Sequence, residues 1–78
     1  MMDRETYSLN SREREILLLV SQEKANKEIA DTLNISRRMV EYYIASITHK
    51  FNVSTRVGAV VRAIYHKEID MEEILTDR

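Results

Sequence analysis

One helical stripe constrains this chain more than any other feature. At about 100° per residue, Val40, Tyr43, Ile44, Ile47 and Phe51 fall within one arc of about 100°. The opposite side carries Arg38, Tyr42, Ala45 and His49, with Glu41 and Ser46 on its flanks. A purely solvated helix face is usually a ladder of Glu and Lys. This one is basic, aromatic and small instead. Ser36 supplies an N-cap, and the helix is predicted to continue to about Phe51.

A single apolar stripe must be buried against other elements, and the rest of the chain supplies helices. Proline is absent and Gly58 is the one glycine, so short polar connections have to separate the elements. No strand-like alternation of useful length, no repeat and no low-complexity tract occurs. A first helix is predicted from an Asn10 cap, with Glu13 completing a capping box, to about Gln22. Ile16, Leu17 and Val20 line its inward face. A second runs from about Asn26 to Leu33, with Ile29, Ala30 and Leu33 inward. In the tight Asn34-Ile35 connection, Asn34 tolerates a left-handed backbone and Ile35 plugs the core. A fourth helix is expected from Ser54 or Thr55 to about Lys67. Val57, Ala59, Val60, Val61, Ala63, Ile64 and Tyr65 make it apolar on more than one side, so part of it is either further core or a partner surface. Asp70 to Leu75 form a short acidic helix or a frayed end. The expected architecture is all-α: a four-helix bundle with a central helix-turn-helix and an optional short fifth helix. Residues 1–8 form an N-terminal extension, 9–69 the domain and 70–78 an acidic tail or helix.

Several function classes lose support at this point. A 78-residue chain makes one domain with a thin core, which oligomerisation would assist. There is no cysteine for a disulfide or thiolate, and two scattered histidines do not make a zinc site. No metal and no cofactor is expected. The longest apolar run, Ile16 to Val20, is too short to span a bilayer, and the first residues lack a secretory signal pattern. A cytoplasmic protein without a membrane partner is the expectation. An enzyme is disfavoured. Glu13 with Glu15 is better explained by capping, His49 with Glu41 would share one exposed helix face without a pocket, and no glycine-rich phosphate loop exists.

The net charge of −1 conceals a segregated distribution. Residues 1–33 carry five basic and seven acidic side chains, and residues 67–78 carry two basic and five acidic ones. Residues 34–66 carry Arg37, Arg38, Lys50, Arg56 and Arg62 against Glu41 alone. Charge alone leaves chance clustering and an anionic partner equally open. The two short helices, tight turn and longer basic helix describe a helix-turn-helix, whose second helix can enter a DNA major groove. Arg37 and Arg38 then hold phosphates or a guanine edge, against the alternative of solvated surface. Cations at a helix N-terminus are mildly unfavourable, which favours the DNA contact. Tyr42 contacts phosphate or a thymine methyl, or is a snorkelling surface tyrosine. His49 is a surface histidine or approaches phosphate, with a pH-sensitive contribution in the latter case.

The pattern from Leu9 to Ile69 resembles the LuxR-type, or GerE-type, DNA-binding domain. The residues that carry it are Leu9-Asn10-Ser11-Arg12-Glu13-Arg14-Glu15-Ile16-Leu17, Asn26-Lys27-Glu28-Ile29-Ala30 and Leu33-Asn34-Ile35-Ser36. Val40, Ile47, Lys50-Phe51-Asn52-Val53, Arg56, Ala59-Val60 and Ala63 continue it. The resemblance implies a four-helix fold whose third helix reads DNA and whose fourth often forms a dimer. It implies that Glu41, Tyr42 and Ala45 face the bases, and that Asn26, Lys27 and the region of Lys50 contact phosphate. The DNA-binding set is thus Asn26, Lys27, Ser36, Arg37, Arg38, Glu41, Tyr42, Ala45, Ser46, His49 and Lys50. The dimer set is Val57, Val61, Ile64 and Tyr65. Met39 stands where threonine is common, Glu41 where lysine is, and Tyr43 where histidine is. Ala25 replaces a usual capping serine or threonine, and Gly58 a usual capping-box glutamate.

The function expected is that of a sequence-specific transcriptional regulator, binding double-stranded DNA at a two-fold-related operator as a homodimer. RNA polymerase or another regulator is a further expected partner. Only eight residues precede Leu9, so the expectation is a free-standing regulator without a sensor domain. The alternative is a protein-interaction module of the same fold, acting on another regulator without DNA.

Overall fold

A computed structural model of the chain describes residues 8–76. All its regular elements among these residues are helices: α1 (Ser11–Ser21), α2 (Asn26–Leu33), α3 (Arg37–Phe51), α4 (Arg56–Tyr65) and α5 (Met71–Thr76). The all-α expectation holds, and the optional fifth helix is formed. Of the expected N-terminal extension only Ser8 is described, and Asp77 and Arg78 of the tail lie outside the described residues.

Helix boundaries follow local chemistry. Asn10 Oδ1 accepts from the Glu13 amide at 2.8 Å, and Glu13 Oε1 accepts from the Asn10 amide at 3.0 Å, closing the capping box of α1. Ala25 has no side-chain oxygen to cap α2, but its own amide donates to Glu28 Oε1 at 2.8 Å. Ser36 Oγ accepts from the Met39 amide to start α3, and Thr55 Oγ1 accepts from the Gly58 amide to start α4. Gly58 is not replaceable by glutamate without local movement, because a Cβ there would stand 3.1 Å from Val53 Cβ. Asn34 takes the left-handed conformation, with φ 59° and ψ 47°, as does Asn52 at the end of α3. Asparagine tolerates that region.

The fourth helix departs from expectation. It stops at Tyr65, two residues before Lys67. His66 forms its C-cap, Lys67 turns left-handed with φ 62°, and the Glu68 amide reaches back to the Ala63 carbonyl at 2.8 Å. This bond across the end closes the helix and sends Ile69 into the core.

Leu9, Ile16, Leu17, Ile29, Ala30, Val40, Ile47, Phe51, Ala59, Ala63 and Ile69 form one buried cluster. Each large apolar side chain there contributes about 1.5–3 kcal/mol relative to exposure. Val20, Leu33, Ile35, Tyr43 and Ile44 pack against it while partly exposed, so the α3 stripe faces inward as its periodicity predicts. Helix α1 touches each of the other four helices. Its start is tied to the far end of the domain. The Leu9 amide donates to Glu68 Oε1 at 3.3 Å, and Arg14 donates to the Glu68 carboxylate and carbonyl.

Candidate nucleic-acid interface

Burying Val40, Ile47 and Phe51 forces the other side of α3 into solvent. Arg37, Arg38, Met39, Glu41, Tyr42, Ala45 and His49 are all exposed, Tyr42 at 64%. Tyr42 meets the half-buried Tyr43 edge-on, with ring centroids 5.7 Å apart. Helix α3 spans about 22 Å at 1.5 Å per residue, and the major groove of B-DNA is wide enough to admit a helix.

The structure divides the basic residues of the middle segment into two kinds. Lys50 Nζ lies 2.7 Å from Glu13 Oε1 and donates to the Ser8 carbonyl at 3.2 Å. Arg56 donates to Asn26 Oδ1 at 2.9 Å, and Arg62 to the Phe51 carbonyl at 3.4 Å. These three spend hydrogen bonds within the fold. Among the described residues, Arg37 and Arg38 make no ion pair or side-chain hydrogen bond. Both sit in the first turn of α3, where the helix dipole disfavours cations by a few tenths of a kcal/mol. Among the described residues nothing pairs their charge, and both side chains are exposed.

The remaining residues of the expected DNA-binding set are distributed unevenly. Ser36 is exposed at the head of α3, with its oxygen engaged by the Met39 amide. Lys27 is exposed and pairs loosely with Asp31 at 3.8 Å, a surface contact worth little. Asn26 is half-buried beside Arg56. Ser46 and Lys50 turn away from the outward face of α3. Ser46 Oγ donates to Glu13 Oε2 at 2.9 Å, so both residues hold α3 against α1. Among the described residues the Lys50 ammonium makes two bonds, to Glu13 and to the Ser8 carbonyl.

Glu13 is the residue whose role the sequence pattern understated. It is 2% exposed and gathers the Asn10 amide, Ser46 hydroxyl and Lys50 ammonium. Burial pushes its carboxyl up, but the hydrogen bonds from Lys50, Asn10 and Ser46 outweigh burial and hold its pKa below the ordinary 4.5. The capping box was visible from spacing. The Lys50 and Ser46 contacts, 37 and 33 residues away, were not.

Helix α4 presents a second exposed strip. Val57, Val61 and Tyr65, at 69, 59 and 77% exposure, recur every four residues along it. Ile64, the fourth member of the expected dimer set, is half-buried against the core. Among the described residues no group of His, Cys, Asp or Glu is placed to hold a metal, and no helix is long and apolar enough to cross a membrane.

This arrangement defines a helix-turn-helix domain, with α2 and α3 as its two helices. Residues 7–63 match the family model of bacterial regulatory proteins of the luxR family, and the chain belongs to that family. Transcriptional regulatory protein ComA of Bacillus subtilis is 48% identical over 52 residues, covering 64% of this chain and 24% of that protein. Transcriptional regulatory protein LiaR of the same organism is 45% identical over 56 residues, covering 72% and 26%. Response regulator protein VraR of Staphylococcus aureus is 38% identical over 61 residues, covering 78% and 29%. The chain therefore spans about a quarter of the length of these relatives.

Proposed function

We propose that this protein is a sequence-specific DNA-binding regulator of transcription, acting in the cytoplasm and binding a two-fold-related operator as a homodimer. The observation that carries this is the outward face of α3. It holds Arg38, exposed and without an ion pair among the described residues, an exposed tyrosine, a histidine and the small Ala45, with Arg37 exposed beside it in the first turn, on a helix pinned by its opposite side. Helix α3 lies in the major groove. Arg37 and Arg38 contact phosphate or guanine, Tyr42 and Ala45 approach base edges, and Lys27, Ser36 and His49 contact the backbone. Asn26 and Lys50 assist from the rim, with Ser46 acting through Glu13 to set the helix. Dimerisation runs through α4, with Val57, Val61 and Tyr65 at its centre and Ile64 at its edge. The function of ComA and LiaR as transcriptional regulators supports this reading. Contact with RNA polymerase or a second regulator would complete the output.

The test is selection of bound duplexes from a random DNA library, with affinity titrated against salt. The expected result is an enriched palindrome whose binding weakens steeply as salt rises, because each neutralised phosphate releases counterions. Weak binding to every duplex, without enrichment, would replace this proposal with a protein-interaction module that acts through the exposed α4 strip.

A further inference from the structure

We infer that Glu41 is a specificity-determining residue that selects a cytosine in each half-site. This inference rests on the proposed docking of α3 in the major groove. Glu41 is exposed on the flank of the outward face, one turn after Arg37 and Arg38 and one turn before Ala45. Arginine at three or four residues before a glutamate is placed to pair with it, yet neither does so here. Among the described residues the Glu41 carboxylate makes no ion pair or side-chain hydrogen bond. Its neighbour on the next turn is a methyl group, so nothing on that side keeps the carboxylate from a base edge.

The chemistry of the groove then narrows the partner. A carboxylate has only acceptors and is repelled by phosphate, so it needs a base donor to be tolerated. In the major groove the donors are the amino groups of adenine N6 and cytosine N4. On adenine the amino group adjoins the N7 acceptor, which would face the second carboxylate oxygen. Cytosine N4 is flanked by the C5–H edge and by one acceptor, O6 of the paired guanine, whereas adenine N6 is flanked by two, its own N7 and thymine O4. A glutamate therefore prefers cytosine. Glutamine has both a donor and an acceptor, and fits adenine N6 and N7 in a bidentate pair.

The experiment is parallel selection of duplexes by the full chain and by Glu41→Gln, with circular dichroism to check the fold. The expected wild-type result is cytosine at one symmetry-related position, with roughly tenfold weaker binding when that cytosine is replaced. In the Gln variant that position alone should lose its cytosine preference and shift toward adenine. An operator enriched by both proteins with the same base at every position would overturn the role of Glu41 and leave DNA binding intact. A wild-type operator without a cytosine at the affected position would overturn it equally. No enrichment by either protein would remove the DNA-binding proposal, and this inference with it.

Discussion

Replacing Glu13 by alanine removes three hydrogen bonds at once and leaves Lys50 without its counter-charge. The Asn10 amide bond is half of a capping box, and the other half survives because Asn10 Oδ1 still accepts from residue 13. That loss costs a few tenths to about 1 kcal/mol. The 2.7 Å contact with Lys50 is charge-assisted, a type worth about 1.5–3 kcal/mol. The lysine side chain is 32% exposed, so water recovers part of that. Losing the Ser46 bond adds to the cost, while the better helix propensity of alanine returns a few tenths. The net expectation is destabilisation of about 2–3 kcal/mol, a large share of a small domain's stability. For a domain of this size that lowers Tm by about 10–20 °C, measurable by thermal circular dichroism. A loss below about 0.5 kcal/mol would refute the assignment of Glu13 as the tie between α1 and α3.

The other predictions test separate parts of the molecule. The folded-state pKa of Glu13 lies below its unfolded value, so its charge stabilises the fold fully above about pH 4.5 and progressively less as pH falls through the folded pKa. The stability gap between wild type and Glu13→Gln should therefore shrink on acidification below that range, and a gap constant from neutral pH to pH 3 would contradict the charge-based account. Arg38→Ala combined with Tyr42→Ala should leave the fold intact and weaken operator binding at least tenfold in a fluorescence titration, since a bidentate arginine–guanine contact alone is worth about 1–3 kcal/mol and the tyrosine contact adds to it. Val61→Asp should shift sedimentation from dimer to monomer while keeping the helical spectrum, because a carboxylate would enter the centre of the proposed α4 contact. Lys67→Gly should raise stability by about 0.5–1 kcal/mol in urea unfolding, since residue 67 has φ 62° and glycine adopts that conformation without steric cost.

Legibility in the sequence followed the range of the interaction. Asn10 with Glu13 and the left-handed Asn34 are local devices, and spacing alone located them. The inward stripe of α3 was equally readable, because a helix needs no tertiary information to put Val40, Ile47 and Phe51 on one face. The end of α4 was not. Neither glycine nor asparagine marks it, and the apolar run up to Tyr65 masked a turn made by Lys67. The candidate interface divided in the same way. Exposure of Arg38 and Tyr42 followed from their angular position, whereas Arg37, only about 60° from Val40, is exposed because it opens the helix. The inward commitment of Lys50, Ser46 and Asn26 depended on partners at least 30 residues away. A lysine in a basic helix has the same sequence signature whether it meets a phosphate or a buried glutamate.

The contact of α1 with every other helix has a consequence for the way the domain opens. Releasing α3 opens the core on every side, since α3 packs against α1, α2 and α4, and α1 itself meets every other helix. Partial unfolding that released α3 would cost Glu13 its bonds from Ser46 and Lys50 and bare the apolar side of α1. Excursions of α3 should therefore cost nearly as much as global unfolding, and its interior amides should exchange with solvent at the slowest rates in the molecule. Such a helix meets its partner as a preformed, rigid surface, with little ordering entropy left to spend on association.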